Sequence, residues 1–129
     1  MIVVDASAVL EFLLDTPTGA RVGRLLDTAG PAHAPALLDV EVAQVLRRLV
    51  HSGSLDEEHG RALLEILQDT PIDRHRIDPL LPRIWQLRHN LTAYDAAYVA
   101  LAEALECPVV TLDERIAGAP GVCTEVRAP

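Results

Sequence analysis

The chain has no lysine; all eleven of its cations are arginines. That absence excludes chemistry that needs an amine: a phosphate-loop lysine, a Schiff base, or the lysine of phospho-aspartate transfer. Aromatics are scarce, at 3%. Ala, Val and Leu must therefore fill the core, which favours close packing of helices on a sheet. Only two cysteines occur, Cys107 and Cys123. They have no metal-ligand spacing, and their apolar neighbours predict small core residues rather than a disulfide. No run approaches the roughly 18 apolar residues that cross a bilayer. No basic region precedes the first apolar run. A cytoplasmic protein without a membrane partner is the expectation. Positive charge is also in deficit, with a formal net charge of −8. That excludes a large basic face holding nucleic acid by charge alone. A metal ion or a basic partner suits the balance better.

What remains is the composition of an ordinary compact domain. With 129 residues, 50% hydrophobic and 23% charged, one domain spanning residues 1–129 is expected. There is no internal repeat and no low-complexity tract.

Residues 2–4 are β-branched and read as a short buried strand. Ser7 is placed to cap a helix over 8–14. Thr16-Pro17 supplies a cap and a first-turn proline for a helix over 18–27, and Gly30-Pro31 breaks the chain. A very short strand is expected at 33–35. Leu38, Val42, Val45 and Leu49 form one stripe of a helix over 37–50. Ser54 and Glu57 have capping-box spacing, opening a helix to about residue 68. Residues 71–74 are a weak strand, and 79–89 a helix with Leu80, Ile84 and Leu87 on one face. An alanine-rich helix opens at Thr92 and runs to about 106. A buried strand at 108–112, a helical turn at 114–117 and an edge strand at 122–126 complete the chain. Alternation of strands and helices with short connections predicts a mostly parallel sheet flanked by helices. Ligands of such sheets sit beyond the carboxyl ends of the strands. Asp5 and Asp113 each follow a strand, which puts both at that edge.

Four acids stand out. Asp5 and Asp113 end strands, Asp95 lies in the first turn of the alanine-rich helix, and Glu41 borders an apolar stripe. Taken singly, each has a plain structural role open to it. Asp5 and Asp113 suit strand ends or helix caps, Asp95 a capping box with Thr92, and Glu41 a salt bridge to an arginine. Taken together they would repel, by about 4 kcal/mol per pair at roughly 4 Å and an effective dielectric near 20. Convergence then requires bound protons or a cation. Carboxylates alone select Mg²⁺ or Mn²⁺ over zinc. The histidines, at 33, 51, 59, 75 and 89, are too dispersed for a zinc site and read as surface or interface residues. A carboxylate site for Mg²⁺ suits phosphodiester chemistry.

The segments IVVDASAVLEFLL, LLDVEVAQVLRRL and LTAYDAAYVALAEALECPVVTLDERIAG resemble the PIN-domain ribonucleases, and more narrowly the VapC toxins of bacterial type II toxin–antitoxin pairs. The likeness runs from residue 2 to about 118, and TAYDAAYVALAEAL followed by PVVTLDERIA is its most specific part. It implies a three-layer α/β/α domain with a central, mostly parallel sheet. It implies that Asp5, Glu41, Asp95 and Asp113 are the catalytic, Mg²⁺- or Mn²⁺-binding acids, with Ser7 beside the first of them holding water or phosphate. Asp39 is a rival for the helix acid, but a Glu before a Val matches the family, as in Glu41-Val42. Thr92 and Thr111 read as either supporting hydroxyls or plain cap and strand residues. Arg115 reads as either a phosphate or carboxylate contact or a solvated arginine. The activity implied is endonucleolytic RNA cleavage by water, leaving a 5′-phosphate and a 3′-hydroxyl. The partners implied are a VapB-like antitoxin and a second copy of the chain, as a homodimer.

Two other function classes fit parts of the sequence. A receiver-like phosphoryl-transfer domain shares the strand-end acid, but the missing lysine and the reading Asp5-Ala6-Ser7 in place of an acid pair count against it. A PIN-like module that binds RNA or a partner with weak catalysis would retain the fold. The presence of all four acids counts against that.

Overall fold

The computed structural model describes residues 1–129. Five strands make one sheet: β1 (Ile2–Val4), β2 (Ala32–Pro35), β3 (Ile72–His75), β4 (Val109–Val110) and β5 (Val126–Arg127). Their order is β3-β2-β1-β4-β5, and every pairing is parallel. The predicted mostly parallel sheet is therefore parallel throughout.

The helices that join β1 to β2 and β2 to β3 are α1 (Ala6–Leu13), α2 (Pro17–Thr28), α3 (Leu38–His51) and α4 (Glu57–Asp69). The return from β3 to β4 passes through a 3₁₀ turn (Asp78–Leu80), α5 (Leu81–Gln86) and α6 (Ala93–Ala104). A short α7 (Glu114–Ala117) joins β4 to β5. Parallel crossovers are almost always right-handed. Connections running one way across the sheet therefore cover one face, and those returning cover the other, giving three layers. Because the chain leaves β1 toward β2 but β4 sits on its other side, β1 and β4 flank a switch point.

The layers close over one hydrophobic cluster of 31 buried residues. Seven consecutive residues of α6, Ala96 to Ala102, are buried. A helix covered on all sides is apolar all round, and its alanines let it lie close on β1, β2 and β4. Gly19 serves the same end between α1 and α2, where a Cβ would lie 2.0 Å from the Glu11 carbonyl oxygen.

Several local expectations differ. The α1 cap is Asp5, whose carboxylate accepts from the Ala8 amide, and Ser7 lies inside the helix. The α4 cap is Asp56, which accepts from the Glu58 and His59 amides. Ser54 is instead consumed in the turn that closes α3, where the Ser54 and Leu55 amides both reach the Leu49 carbonyl. The predicted helix over 79–89 is a 3₁₀ turn plus the six residues of α5. The last strand starts four residues later than expected because Val126 is the residue in register with Val109. Cys107 is buried, but Cys123 is exposed; both are free thiols. His33 is buried rather than superficial, and its Nδ1 lies 2.9 Å from His75 Nε2 on β3. No helix is long and apolar enough to cross a membrane.

Candidate active site

At the carboxyl ends of β1 and β4 lies a cleft of about 550 Å³. Its walls include Asp5, Ser7, Glu41, Asp95, Asp113 and Arg115. Four elements deliver the acids: the β1–α1 junction, α3, the first turn of α6, and the β4–α7 junction.

Asp5 is 5% exposed and is fixed by two relays from the end of β4. In one, the Leu112 amide donates to Ser7 Oγ at 3.0 Å, and Ser7 Oγ donates to Asp5 Oδ1 at 2.6 Å. In the other, the Asp113 amide donates to Thr111 Oγ1 at 2.9 Å, and Thr111 Oγ1 donates to Asp5 Oδ2. Ser7 and Thr111 are thus the hydroxyls that orient Asp5 across the switch point. Burial raises the Asp5 pKa against these hydrogen bonds, and the charge of Asp95 raises it further.

Glu41 lies on the cleft face of α3 with Gln44, Val45 and Arg48, at offsets of three, four and seven residues. The adjoining face buries Leu38, Val42 and Leu46. Val45, expected in the core stripe, lines the cleft instead. The hydroxyl of Tyr98 donates to Glu41 Oε1 at 2.8 Å. Burial raises the Glu41 pKa, Tyr98 opposes it, and the charges of Asp95 and Asp5 add to it. Asp39, the rival, points elsewhere: Arg74 Nη2 donates to Asp39 Oδ1 at 3.0 Å.

Asp95 follows Thr92, whose hydroxyl caps α6 by accepting from the Asp95 amide. Its pKa is raised by burial and by Asp113, with Thr92 and Arg115 opposing. Asp113 differs. It caps α7, and the Arg115 guanidinium donates to both its oxygens, at 2.6 Å in the shortest contact. That pairing holds the Asp113 pKa below the usual carboxylate range.

All four predicted acids and Ser7 therefore line one cleft, although the side chains do not close into a metal-ligand cage. The donor chemistry fits a divalent hard cation. Every candidate ligand is an oxygen, and three of the acids are pushed toward protonation by burial and by neighbouring carboxylates. A cation would relieve that repulsion. Tyr98 and Arg48 are site residues that sequence reasoning missed. Tyr98 follows Asp95 by three residues on the same helix, which is the signal that could have found it. A second concavity, between α3 and α4, is lined by Glu57, Glu58 and Arg61, and there Arg61 pairs with Glu58 at 3.0 Å.

The model of the PIN domain family matches residues 2–122. The chain is 46% identical to "Ribonuclease VapC1" of Mycobacterium tuberculosis over 126 residues, covering 97% of this chain and 95% of that one. Among solved structures, VapBC2 from Rickettsia felis, bound to a promoter DNA fragment, superposes with a TM-score of 0.72 at 13% identity, covering 99% of this chain and 98% of that one. Mycobacterium tuberculosis VapC20, described as a sarcin-ricin loop cleaving toxin, superposes with a TM-score of 0.68 at 18% identity, covering 92% and 96%. A near full-length family match and close relatives along the same length agree with the sheet order and the strand-end cleft: the chain belongs to the PIN-domain family.

Proposed function

We infer that the chain is a divalent-metal-dependent endoribonuclease and the toxin of a VapBC-type toxin–antitoxin pair, with residues 1–129 forming one catalytic unit. The observation that carries this reading is the placement of Asp5, Glu41, Asp95 and Asp113 on one cleft at the switch point, in a chain 46% identical to a named VapC ribonuclease. The four acids would hold Mg²⁺ or Mn²⁺. When bound, the ion acidifies water and offsets negative charge on phosphate.

The chain's own residues do the rest. Ser7 and Thr111 hold the Asp5 carboxylate in one orientation. Tyr98 holds Glu41 in place on the cleft wall, where a carboxylate can take a proton from the attacking water. Water oxygen bonds to phosphorus in line, and the bond to the 3′ oxygen breaks. That oxygen takes up a proton, leaving a 3′-hydroxyl and a 5′-phosphate. Arg115 is the cation nearest Asp113 and is 77% exposed at its side chain, so it can turn to a phosphate oxygen.

An acidic cleft on a chain of net charge −8 suits a basic inhibitory segment. A VapB-like antitoxin, as in the VapBC2 complex, is the partner this reading gives, together with a homodimer and a cytoplasmic site of action. The test is Asp95→Asn in purified protein with single-stranded RNA and Mg²⁺ or Mn²⁺. The variant should fold, keep its circular dichroism, and lose metal-dependent cleavage with new 5′-phosphate ends. Cleavage at the wild-type rate would defeat the reading. The acids do not close into a cage, which favours the PIN-like binding module as second reading. A wild type with no metal-dependent thermal shift and no cleavage would decide for it.

A further inference from the structure

The chain has four aromatic residues besides histidine: Phe12, Trp85, Tyr94 and Tyr98. Tyr94 and Tyr98 lie one turn apart on α6, so they share a helix face. Both line the acidic cleft, yet they differ sharply in cover. Tyr98 is 1% exposed and its hydroxyl is engaged by Glu41; Tyr94 is 64% exposed. The Tyr94 hydroxyl has no hydrogen-bond partner in the protein. Val40, on the facing helix α3, is 72% exposed and lines the same cleft. An open aromatic ring and an open aliphatic side chain thus stand at the rim of a site whose floor is carboxylate.

We propose that Tyr94, at the rim of the cleft that Val40 also lines, is a stacking platform for a nucleobase flanking the cleaved phosphodiester of single-stranded RNA. The proposal rests on the ribonuclease reading and adds what positions the substrate. Charge supplies little affinity here. The net charge is −8, the cleft contains only two cations, Arg48 and Arg115, and Arg115 is paired with Asp113. Stacking does not depend on charge, and every base has a face to offer. A phosphodiester held beside Asp95 brings its neighbouring base near the residue that precedes Asp95 in the first turn of α6.

The test uses the full chain and steady-state cleavage of a short single-stranded RNA, with Tyr94→Ala and Tyr94→Phe. It also uses a set of RNAs with one abasic nucleotide at each position around the cleaved bond. Tyr94→Ala should raise KM by about 5- to 100-fold with little change in kcat, the range that base–aromatic stacking spans. Tyr94→Phe should restore the wild-type KM. One abasic position should cost the wild type a similar factor and cost Tyr94→Ala nothing further. An unchanged KM in Tyr94→Ala overturns the proposal while the ribonuclease reading stands. The same is true if Tyr94→Ala weakens only the capture of a basic peptide, for then the ring serves a protein partner. A wild type that cleaves no RNA overturns the reading beneath it and the proposal with it.

Discussion

The Tyr98 hydroxyl on α6 donates to Glu41 Oε1 on α3 across 2.8 Å, joining helices from opposite faces of the sheet at the strand-end cleft. A phenol buried in the core can keep its hydroxyl only by satisfying it, and here the partner is a proposed metal ligand. Tyr98→Phe removes the one hydrogen bond that lowers the Glu41 pKa, so that pKa should rise. The acid limb of the pH–rate profile should move to higher pH, and chemical denaturation should register a loss of about 1 kcal/mol. An unshifted limb would remove Glu41 from the proton-transfer role.

Ser7 links the Leu112 amide to Asp5 Oδ1. Ser7→Ala deletes both bonds and should destabilise the fold by about 1–2 kcal/mol in urea. Cleavage should fall at least tenfold, because Asp5 loses one of the two hydroxyls that orient it and keeps only Thr111 and the Ala8 amide. Ser7→Thr keeps the hydroxyl and should keep most of the activity.

Two acids two residues apart on α3 have different fates. Asp39 pairs with Arg74 outside the cleft, and Glu41 lines it. Asp39→Ala should leave cleavage within about twofold and change stability by less than about 1 kcal/mol, since the pair is partly solvated. Glu41→Gln should abolish cleavage. The reverse pattern in a side-by-side assay would exchange their roles.

Asp5, Glu41 and Asp95 all bind protons more tightly in the folded chain than in the unfolded one. Stability from a raised pKa is complete below the unfolded value, 3.8 for aspartate, and is lost as pH rises through the folded value. Without divalent ions, Asp95→Asn should therefore melt higher than wild type at neutral pH, by about 3–5 °C for each kcal/mol relieved. The gain should vanish below about pH 4. Adding Mn²⁺ should raise the wild-type midpoint more than that of the variant. Equal shifts would place the ion elsewhere.

Much was legible in the sequence because periodicity and turn chemistry are local. Apolar runs at 2–4 and 108–112, Thr16-Pro17 and Thr92 announced β1, β4 and the starts of α2 and α6, and all four lie where expected. Misplaced boundaries arose where two residues able to cap a helix lie within two positions of each other. Asp5 took the cap expected of Ser7, and Asp56 the cap expected of Ser54. Ser7 was thereby freed to bridge β4 to Asp5.

By itself the sequence determined the alternation of strands and helices, the parallel sheet, and which acids follow the ends of β1 and β4, because backbone geometry fixes the edge to which strand-end residues go. Only the tertiary structure decided that β1 and β4 are neighbours. Strand order depends on which faces the crossover helices cover, and that is a property of the whole core. From it follow the Thr111–Asp5 and Tyr98–Glu41 hydrogen bonds, the pairing of Asp39 with Arg74, and the cover given to Tyr98 but withheld from Tyr94. Each is a contact between residues far apart in the chain, and no local pattern encodes such a distance.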